Sequence, residues 1–357
     1  MSLFKDILQS NETLFQNETA LDYDYLPKEI KYRETQQHYI AECIKPLLQK
    51  RNGRNIIITG QPGIGKTAAI RSVLRDLENE TDNIYQIYIN CWKKDSFFKI
   101  ITELCHQINY SWTHNKSGED LIQVAANILN KKSVVIVLDE VDKLEDQSII
   151  YSLLEDIHKK TIILITNDEL FMADMDNRIR SRLIPDLLNF EPYNEEETTG
   201  ILAQRKGYAF FPGVLNQESF YKICKKTFEL QDIRAGLFLM KESGIIAEAK
   251  SSKKILEEHT NIAISKLSEF KIKKIQELNK ESQQILDLIK QNSGKTVLEV
   301  FKEYEEIGGK KTYRTFSRKI KDLQKSKLIN LKELNLGYEG RTTQIFFETK
   351  LDQFSND

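Results

Sequence analysis

The chain of 357 residues is short of cysteine, of histidine in any motif, and of long apolar runs. Its four cysteines, Cys43, Cys91, Cys105 and Cys224, are scattered, with no CxxC pair and no histidine cluster beside them. That excludes a disulfide framework and a thiolate zinc site and fits a reducing compartment. No apolar run approaches the roughly 20 residues that cross a bilayer. The opening MSLFKDILQSNETLFQNETALD is too polar for a signal peptide. None of the five histidines sits in a motif, and no internal repeat is present. The expectation is a soluble cytoplasmic protein without membrane contact. Charge of one sign is also missing overall, since the formal net is −1. That figure hides an asymmetry: residues 270–350 carry 18 Lys/Arg against 11 Asp/Glu, leaving the remainder acidic. A basic end on an acidic body points to a polyanion partner for that end.

Strand-like runs at 55–59, 84–89, 134–138 and 161–166 alternate with helical stretches at 33–50, 66–78, 95–109, 118–130 and 147–158. This order predicts an α/β domain with a parallel sheet covered on both faces over 1–189, of which 1–24 is a loose polar arm. Residues 190–250 read as three helices, and 249–258 as a linker. Residues 260–357 read as helices followed by two strands, the order of a winged helix-turn-helix.

The densest signal is GQPGIGKT, residues 60–67, between a strand and a helix. Its spacing is that of a P-loop. The glycines let backbone N–H groups converge on phosphate, the helix N-terminus adds partial positive charge, Lys66 reaches the β/γ-phosphates and Thr67 ligates Mg²⁺. Gly60, Gln61, Pro62, Gly63, Ile64, Gly65, Lys66, Thr67 and Ala68 are accordingly assigned to ATP or ADP. In VVIVLDEVDKL, 134–144, a buried strand ends in two acids. Asp139 is assigned to Mg²⁺ and Glu140 to the attacking water. The next strand ends in Asn167-Asp168, where Asn167 can position that water.

Two arginine sets remain open on chemistry alone. Arg178 and Arg182, in DNRIRSR, are either a solvated face or donors to a neighbour's γ-phosphate. Arg234 is either a surface arginine or a lid arginine reaching the γ-phosphate. In KTYRTFSRKIKDLQKS, at about 100° per residue, Phe316, Ile320 and Leu323 share one face. Lys311, Arg314, Arg318, Lys321 and Lys325 project oppositely, fitting a DNA major groove, with Arg341 in the wing turn beside the backbone or minor groove. Trp92 and Trp112 are expected to pack rather than stack.

Together these segments resemble the archaeal replication initiators, relatives of the eukaryotic origin-recognition-complex and cell-division-control proteins. The carriers are LPKEIKYRETQ (26–36), GQPGIGKT, VLDEVDKL, ITND, DNRIRSRL, FEPYNEEE, AFFPGVL and QDIRAG. The resemblance implies an AAA+ ATPase core, a helical lid and a C-terminal winged helix. It implies that Leu26, Pro27, Tyr32 and Arg33 line the adenine side. It makes Asn167 sensor 1, Arg234 sensor 2, and Arg182, then Arg178, the arginine finger. It also places the family's helical insertion around 111–124. Departures are Ala235-Gly236, where a second basic residue is common, and Asn177, where proline is common. The implied function is slow, switch-like ATP hydrolysis, binding of double-stranded origin DNA, recruitment of the replicative minichromosome maintenance helicase, and contact with further initiator copies. The alternatives are a DNA-binding transcriptional regulator or silent paralogue, and a signalling or transposition ATPase whose C-terminal module binds protein.

Overall fold

The computed structural model describes residues 13–168, 170–276, 280–309, 312–325, 329–335 and 341–347. The chain divides into two compact units, 1–263 and 264–357. Among the described residues no helix is long and apolar enough to cross a membrane.

The first unit is built on a five-stranded sheet in the order β2-β3-β4-β1-β5. Its strands are β1 (Ile56–Thr59), β2 (Ile84–Asn90), β3 (Ser133–Asp139), β4 (Lys160–Ile165) and β5 (Asp186–Asn189), all parallel. Every residue of β3 is buried, as a central parallel strand covered on both faces requires. Period-two alternation divides the aliphatics between the faces. Ile57, Ile136, Leu138, Ile162 and Leu164 enter one core. Ile56, Ile58, Val135, Val137, Ile163 and Ile165 enter the other. Each such side chain contributes about 1.5–3 kcal/mol through burial, so an Ile136→Ala change costs about 2–5 kcal/mol.

Helices α1 (Glu34–Ile44), α2 (Lys66–Glu80), α3 (Phe97–Gln107), α4 (Gly118–Leu129), α5 (Ser148–Asp156), α6 (Phe171–Asp174) and α7 (Asn177–Leu183) cover the sheet. Strand β5 is an element that the sequence pattern missed. The region expected around 111–124 resolves into a loop and then α4, which starts at a Ser117–Asp120 capping box. In the sheet the chain leaves β1, a central strand, for the edge strand β2. That makes the C-terminal end of β1 a topological switch point, where such sheets open a crevice.

The lid follows as α8 (Glu195–Ala209), α9 (Gln217–Leu230) and α10 (Ile233–Ala249). Their N-termini are capped by Asn194, Asn216 and Asp232, whose side chains accept otherwise unpaired backbone N–H groups. Two expectations are corrected here. Residues 13–24 are no loose arm: Phe15 stacks on Phe210 with ring centroids 5.0 Å apart, and Ala20 and Leu21 are buried. Residues 249–258 are no free linker, because Ile255 is fully buried and bridges to Leu215. Helix α11 (Glu257–Gln276) then runs past the division between the units.

The second unit holds α12 (Lys280–Gln291), α13 (Val297–Glu306), α14 (Tyr313–Lys325) and the antiparallel pair β6 (Ile329–Asn335) and β7 (Arg341–Phe347). Phe316, Ile320 and Leu323 bury into its core with Phe301, Tyr304 and Ile345, as the helical spacing predicts. The Thr296↔Gln344 bridge ties the start of α13 to the hairpin. The element order is that of a winged helix.

Candidate nucleotide site

The P-loop leaves β1 and enters α2 through glycines with positive φ, among them Gly63 (+82°) and Gly65 (+90°). A Cβ on Gly63 would stand 2.0 Å from Asp232 Oδ1, and one on Gly65 2.6 Å from the Tyr193 hydroxyl. Both contacts demand glycine. Lys66 opens α2, so the first backbone N–H groups of that helix have no intrahelical acceptor and face the cleft.

Lys66 itself is 6% exposed, and its ammonium donates to Gly60 O (2.6 Å), Gln61 O (2.9 Å) and Asn167 Oδ1 (2.8 Å). Burial draws its pKa down to about 8. The carboxylates of Asp139, Asp142 and Glu140 oppose that shift, while Arg234 adds to it. The buried Asp139 accepts on Oδ2 from the Thr67 hydroxyl at 2.7 Å and the Tyr88 hydroxyl at 2.5 Å. On Oδ1 it accepts from the Glu140 N–H at 2.9 Å. Burial beside this carboxylate raises the Tyr88 pKa. Glu140 has φ +56°, a left-handed turn that carries the chain off the end of β3. Burial, then repulsion from Asp139 and Asp142, raises the Glu140 pKa.

Asn167 follows β4, whose Ile165 is in register with Asp139. Asp142 fixes this strand end by accepting from Thr166 Oγ1 (3.0 Å) and Asn167 N (3.3 Å). From the lid, Arg234 makes a bidentate pair with Asp232, at 2.9 Å through Nε and 2.8 Å through Nη2. The neighbouring Ile233 N–H donates to Gly63 O at 3.2 Å, which seats α10 on the P-loop.

One cleft therefore collects Pro62, Gly63, Gly65, Lys66, Thr67, Ala68, Asp139, Glu140, Asn167 and Arg234, with Leu26 and Pro27 in its far wall. It encloses about 1130 Å³ of empty space, open solvent at its mouth included. The Thr67 hydroxyl and Asp139 carboxylate, 2.7 Å apart, are hard oxygen donors of the kind that suits Mg²⁺ held jointly with phosphate oxygens.

Not every sequence assignment lines this cleft. Gly60 and Gln61 act from behind through carbonyls on Lys66, and Ile64 is a core residue. Arg33 is corrected from the adenine side to a brace beneath the loop. It is 4% exposed, donates to Ile64 O (3.0 Å) and Glu191 O (2.6 Å), and lies 3.9 Å from the Tyr193 ring centroid. Backbone carbonyls take its Nε and Nη2 donors. Tyr32 is likewise outside, because its left-handed φ of +63° turns the ring against Gly200 on α8. Trp92 and Trp112, expected to pack, are 66% and 80% exposed.

Arg182 pairs with Glu155 and lies over the Tyr151 ring at 4.9 Å, and Arg178 pairs with Asp176 at 3.2 Å. Both sit on α7, away from the cleft of their own chain. Sequence reasoning missed Tyr23, Tyr25, Tyr88, Asp142, Gln204 and Arg205. The aromatic run Tyr23-Asp-Tyr25 inside a polar arm was the one available signal.

In the second unit Arg318 is exposed on α14. Arg314, Lys321 and Lys325 share its helical face by spacing, and Arg341 opens β7 opposite Asn335. Lys311 and the wing turn at 336–340 lie outside the described residues.

Residues 49–171 match the family described as AAA domain, and 199–265 the Cdc6 AAA+ ATPase-type lid domain. The ORC1-type DNA replication protein 1 of Archaeoglobus fulgidus is 30% identical over 376 residues, covering 98% of this chain and 91% of that protein. The chain belongs to the archaeal ORC1-type (Orc1/Cdc6) family of DNA replication proteins. This ORC1-type chain is also 29% identical to ORC1-type DNA replication protein 2 of Methanothermobacter thermautotrophicus, over 95% of its own length and 93% of that relative's. Its fold is similar to that of the Aeropyrum pernix ORC1 protein, solved in complex with DNA, with a TM-score of 0.70 at 22% identity over 95% and 94% of the two chains. The A. pernix ORC2 protein, solved as ADPNP–ADP complexes, gives 0.69 at 17% identity over 93% and 94%. The family drawn from the motifs is thereby borne out, with its AAA+ core and helical lid.

Proposed function

We propose that this ORC1-type protein is an ATP-switched replication initiator, binding origin duplex DNA through its C-terminal unit and recruiting or loading the replicative helicase. The observation that carries the reading is the convergence of Lys66, Asp139, Glu140, Asn167 and the lid's Arg234 on one cleft. Such a cleft couples a γ-phosphate to the lid, so nucleotide state sets the lid's position. Lys66 and the N-terminus of α2 hold the phosphates. Glu140, a carboxylate with a raised pKa, takes the proton of the attacking water while Asn167 positions it. Mg²⁺, held by Thr67 and Asp139, would neutralise charge on the phosphates. Arg178 and Arg182 lie outside their own chain's cleft, which suits donation to a neighbouring copy and slow turnover by a single copy. The basic spacing on α14 suits phosphate and base-edge contacts in a major groove.

The test is duplex binding by the full chain with ATP or ADP, on origin-proximal, promoter and random DNA across a salt series. Sequence-preferring binding that responds to nucleotide, with log affinity falling steeply in log salt, is expected. Binding at promoters rather than origins would favour a regulator. Binding without salt dependence would favour a protein-partner module.

A further inference from the structure

In the segment 20–31, residues 23–27 and 29–31 form one wall of the nucleotide cleft, yet the segment belongs to neither the P-loop nor the strand ends. It contributes almost no side chains to either sheet core. Two arginines hold it by its backbone. From the lid helix α8, Arg205 donates to Ala20 O at 3.1 Å and to Tyr25 O at 3.0 Å, with its guanidinium 5.0 Å from the Tyr25 ring centroid. From the core helix α2, Arg75 donates to Pro27 O at 3.0 Å and to Lys28 O at 2.7 Å. Gln204, the neighbour of Arg205, adds a bond to Glu29 O at 3.3 Å.

Arg205 is 7% exposed, and among the described residues no carboxylate pairs with it. Burial pushes its pKa down, so the charge is held against its solvation preference by carbonyl dipoles and an aromatic face. Only a forked guanidinium reaches two carbonyls while standing over a ring. The wall is thus slung between lid and core. The phosphate end of the cleft is fixed by Gly63–Thr67. The remaining lining includes Tyr25, Pro27, Ile30, Ile201 and Leu237, an apolar and aromatic surface suited to a flat base.

We propose that Arg205 and Arg75 are positioning residues for the nucleoside: they set the base wall from lid and core at once, so that base binding depends on the lid's seating. Neither touches the phosphates. The proposal rests on reading the cleft as a nucleotide site, and the experiment separates the two. Full-length wild type, Arg205→Ala, Arg205→Lys and Arg75→Ala are titrated calorimetrically with Mg²⁺-ATP and with Mg²⁺-tripolyphosphate, which carries the phosphates without the nucleoside. Wild type is expected to bind ATP more tightly than tripolyphosphate. Each arginine variant is expected to lose at least about tenfold in ATP affinity while tripolyphosphate affinity stays within about twofold, so that the gap between the ligands closes. Arg205→Lys should recover little, since a point charge cannot reproduce the fork. Arg75 is one-third exposed at the side chain (34%) and supplies the reading if Arg205→Ala does not fold. Equal weakening of both ligands, or unchanged ATP affinity in the variants, would overturn the proposal while leaving the nucleotide site intact. Failure of wild type to bind ATP would remove both.

Discussion

The ammonium of Lys66 and the side-chain carbonyl of Asn167 meet at 2.8 Å, joining positions 101 residues apart. The bond ties the start of α2 to the residue that follows β4 by two positions, and Asn167 lines the cleft. Asn167→Ala should leave ATP affinity within about threefold, because Lys66 keeps its two carbonyl acceptors. Hydrolysis should fall by about 10²-fold, the usual cost of one positioned polar group. Equilibrium binding and single-turnover hydrolysis on one preparation distinguish the two effects.

A carboxylate in the role proposed for Glu140 accepts a proton only when ionised. Its pKa is raised, so the hydrolysis rate should fall as pH drops through that raised value while ATP binding holds. Glu140→Gln should lower turnover by about 10²–10⁴-fold and flatten this acid limb. A pH–rate profile for both proteins is the check. An unchanged limb in the variant would assign it to another group.

Burial lowers the Lys66 pKa to about 8. Relative to an unfolded lysine at 10.5, the folded state releases its proton earlier, so the burial penalty is full below pH 8 and is relieved between 8 and 10.5. A polyphosphate favours the charged form and pulls the pKa back up. ATP binding should then take up a proton near and above pH 8, and affinity should fall as pH rises further. Calorimetry in buffers of different ionisation enthalpy measures that uptake. Lys66→Ala should abolish both the uptake and tight ATP binding.

Gly63→Ala places a methyl group against the Asp232 carboxylate in a left-handed backbone. The strain costs about 1–3 kcal/mol, and the lid must lift off the P-loop. A lower Tm and weaker ATP binding are expected. Adding Asp232→Ala should recover part of the ATP affinity by vacating the clash. Purely additive losses in this double-mutant cycle would show that the two residues are uncoupled.

Arg314→Ala combined with Arg318→Ala should weaken duplex binding and reduce the slope of log affinity against log salt, with ATP affinity unchanged. Electrophoretic or anisotropy titrations at several salt concentrations give the slope. An unaltered slope would move the DNA contact off α14.

The legible parts of the sequence were those where local pattern and tertiary role coincide. β3 reads as a strand because a strand buried on both faces must be aliphatic throughout. The P-loop reads because its glycines answer steric demands that no other residue meets. β5 was missed because it has four residues at the sheet edge, with Leu187 and Asn189 exposed, so its burial pattern carries too little apolar signal. The 13–24 segment was misread because charge as well as burial holds it. Lys241 pairs with both Glu18 and Asp22, and a polar stretch held by ion pairs resembles a polar stretch held by nothing. Arg33 was assigned to the adenine side by resemblance, and its bonds to Ile64 O and Glu191 O set it beneath the loop instead. A family likeness gives the neighbourhood of the nucleotide and not the face.

The N-terminal strap is fastened to the far end of its unit: Thr13 donates to Glu248 across 235 positions of chain. During synthesis the sheet strands emerge before the lid, and the strap's lid-side anchors, Arg205, Lys241 and Glu248, are absent until α8 and α10 have left the ribosome. The base wall is therefore a late acquisition of every newly made molecule. A nascent chain halted before the lid would carry a finished P-loop with the strap held from the core side alone, by Arg75. Full affinity for the nucleoside then depends on completion of the whole unit.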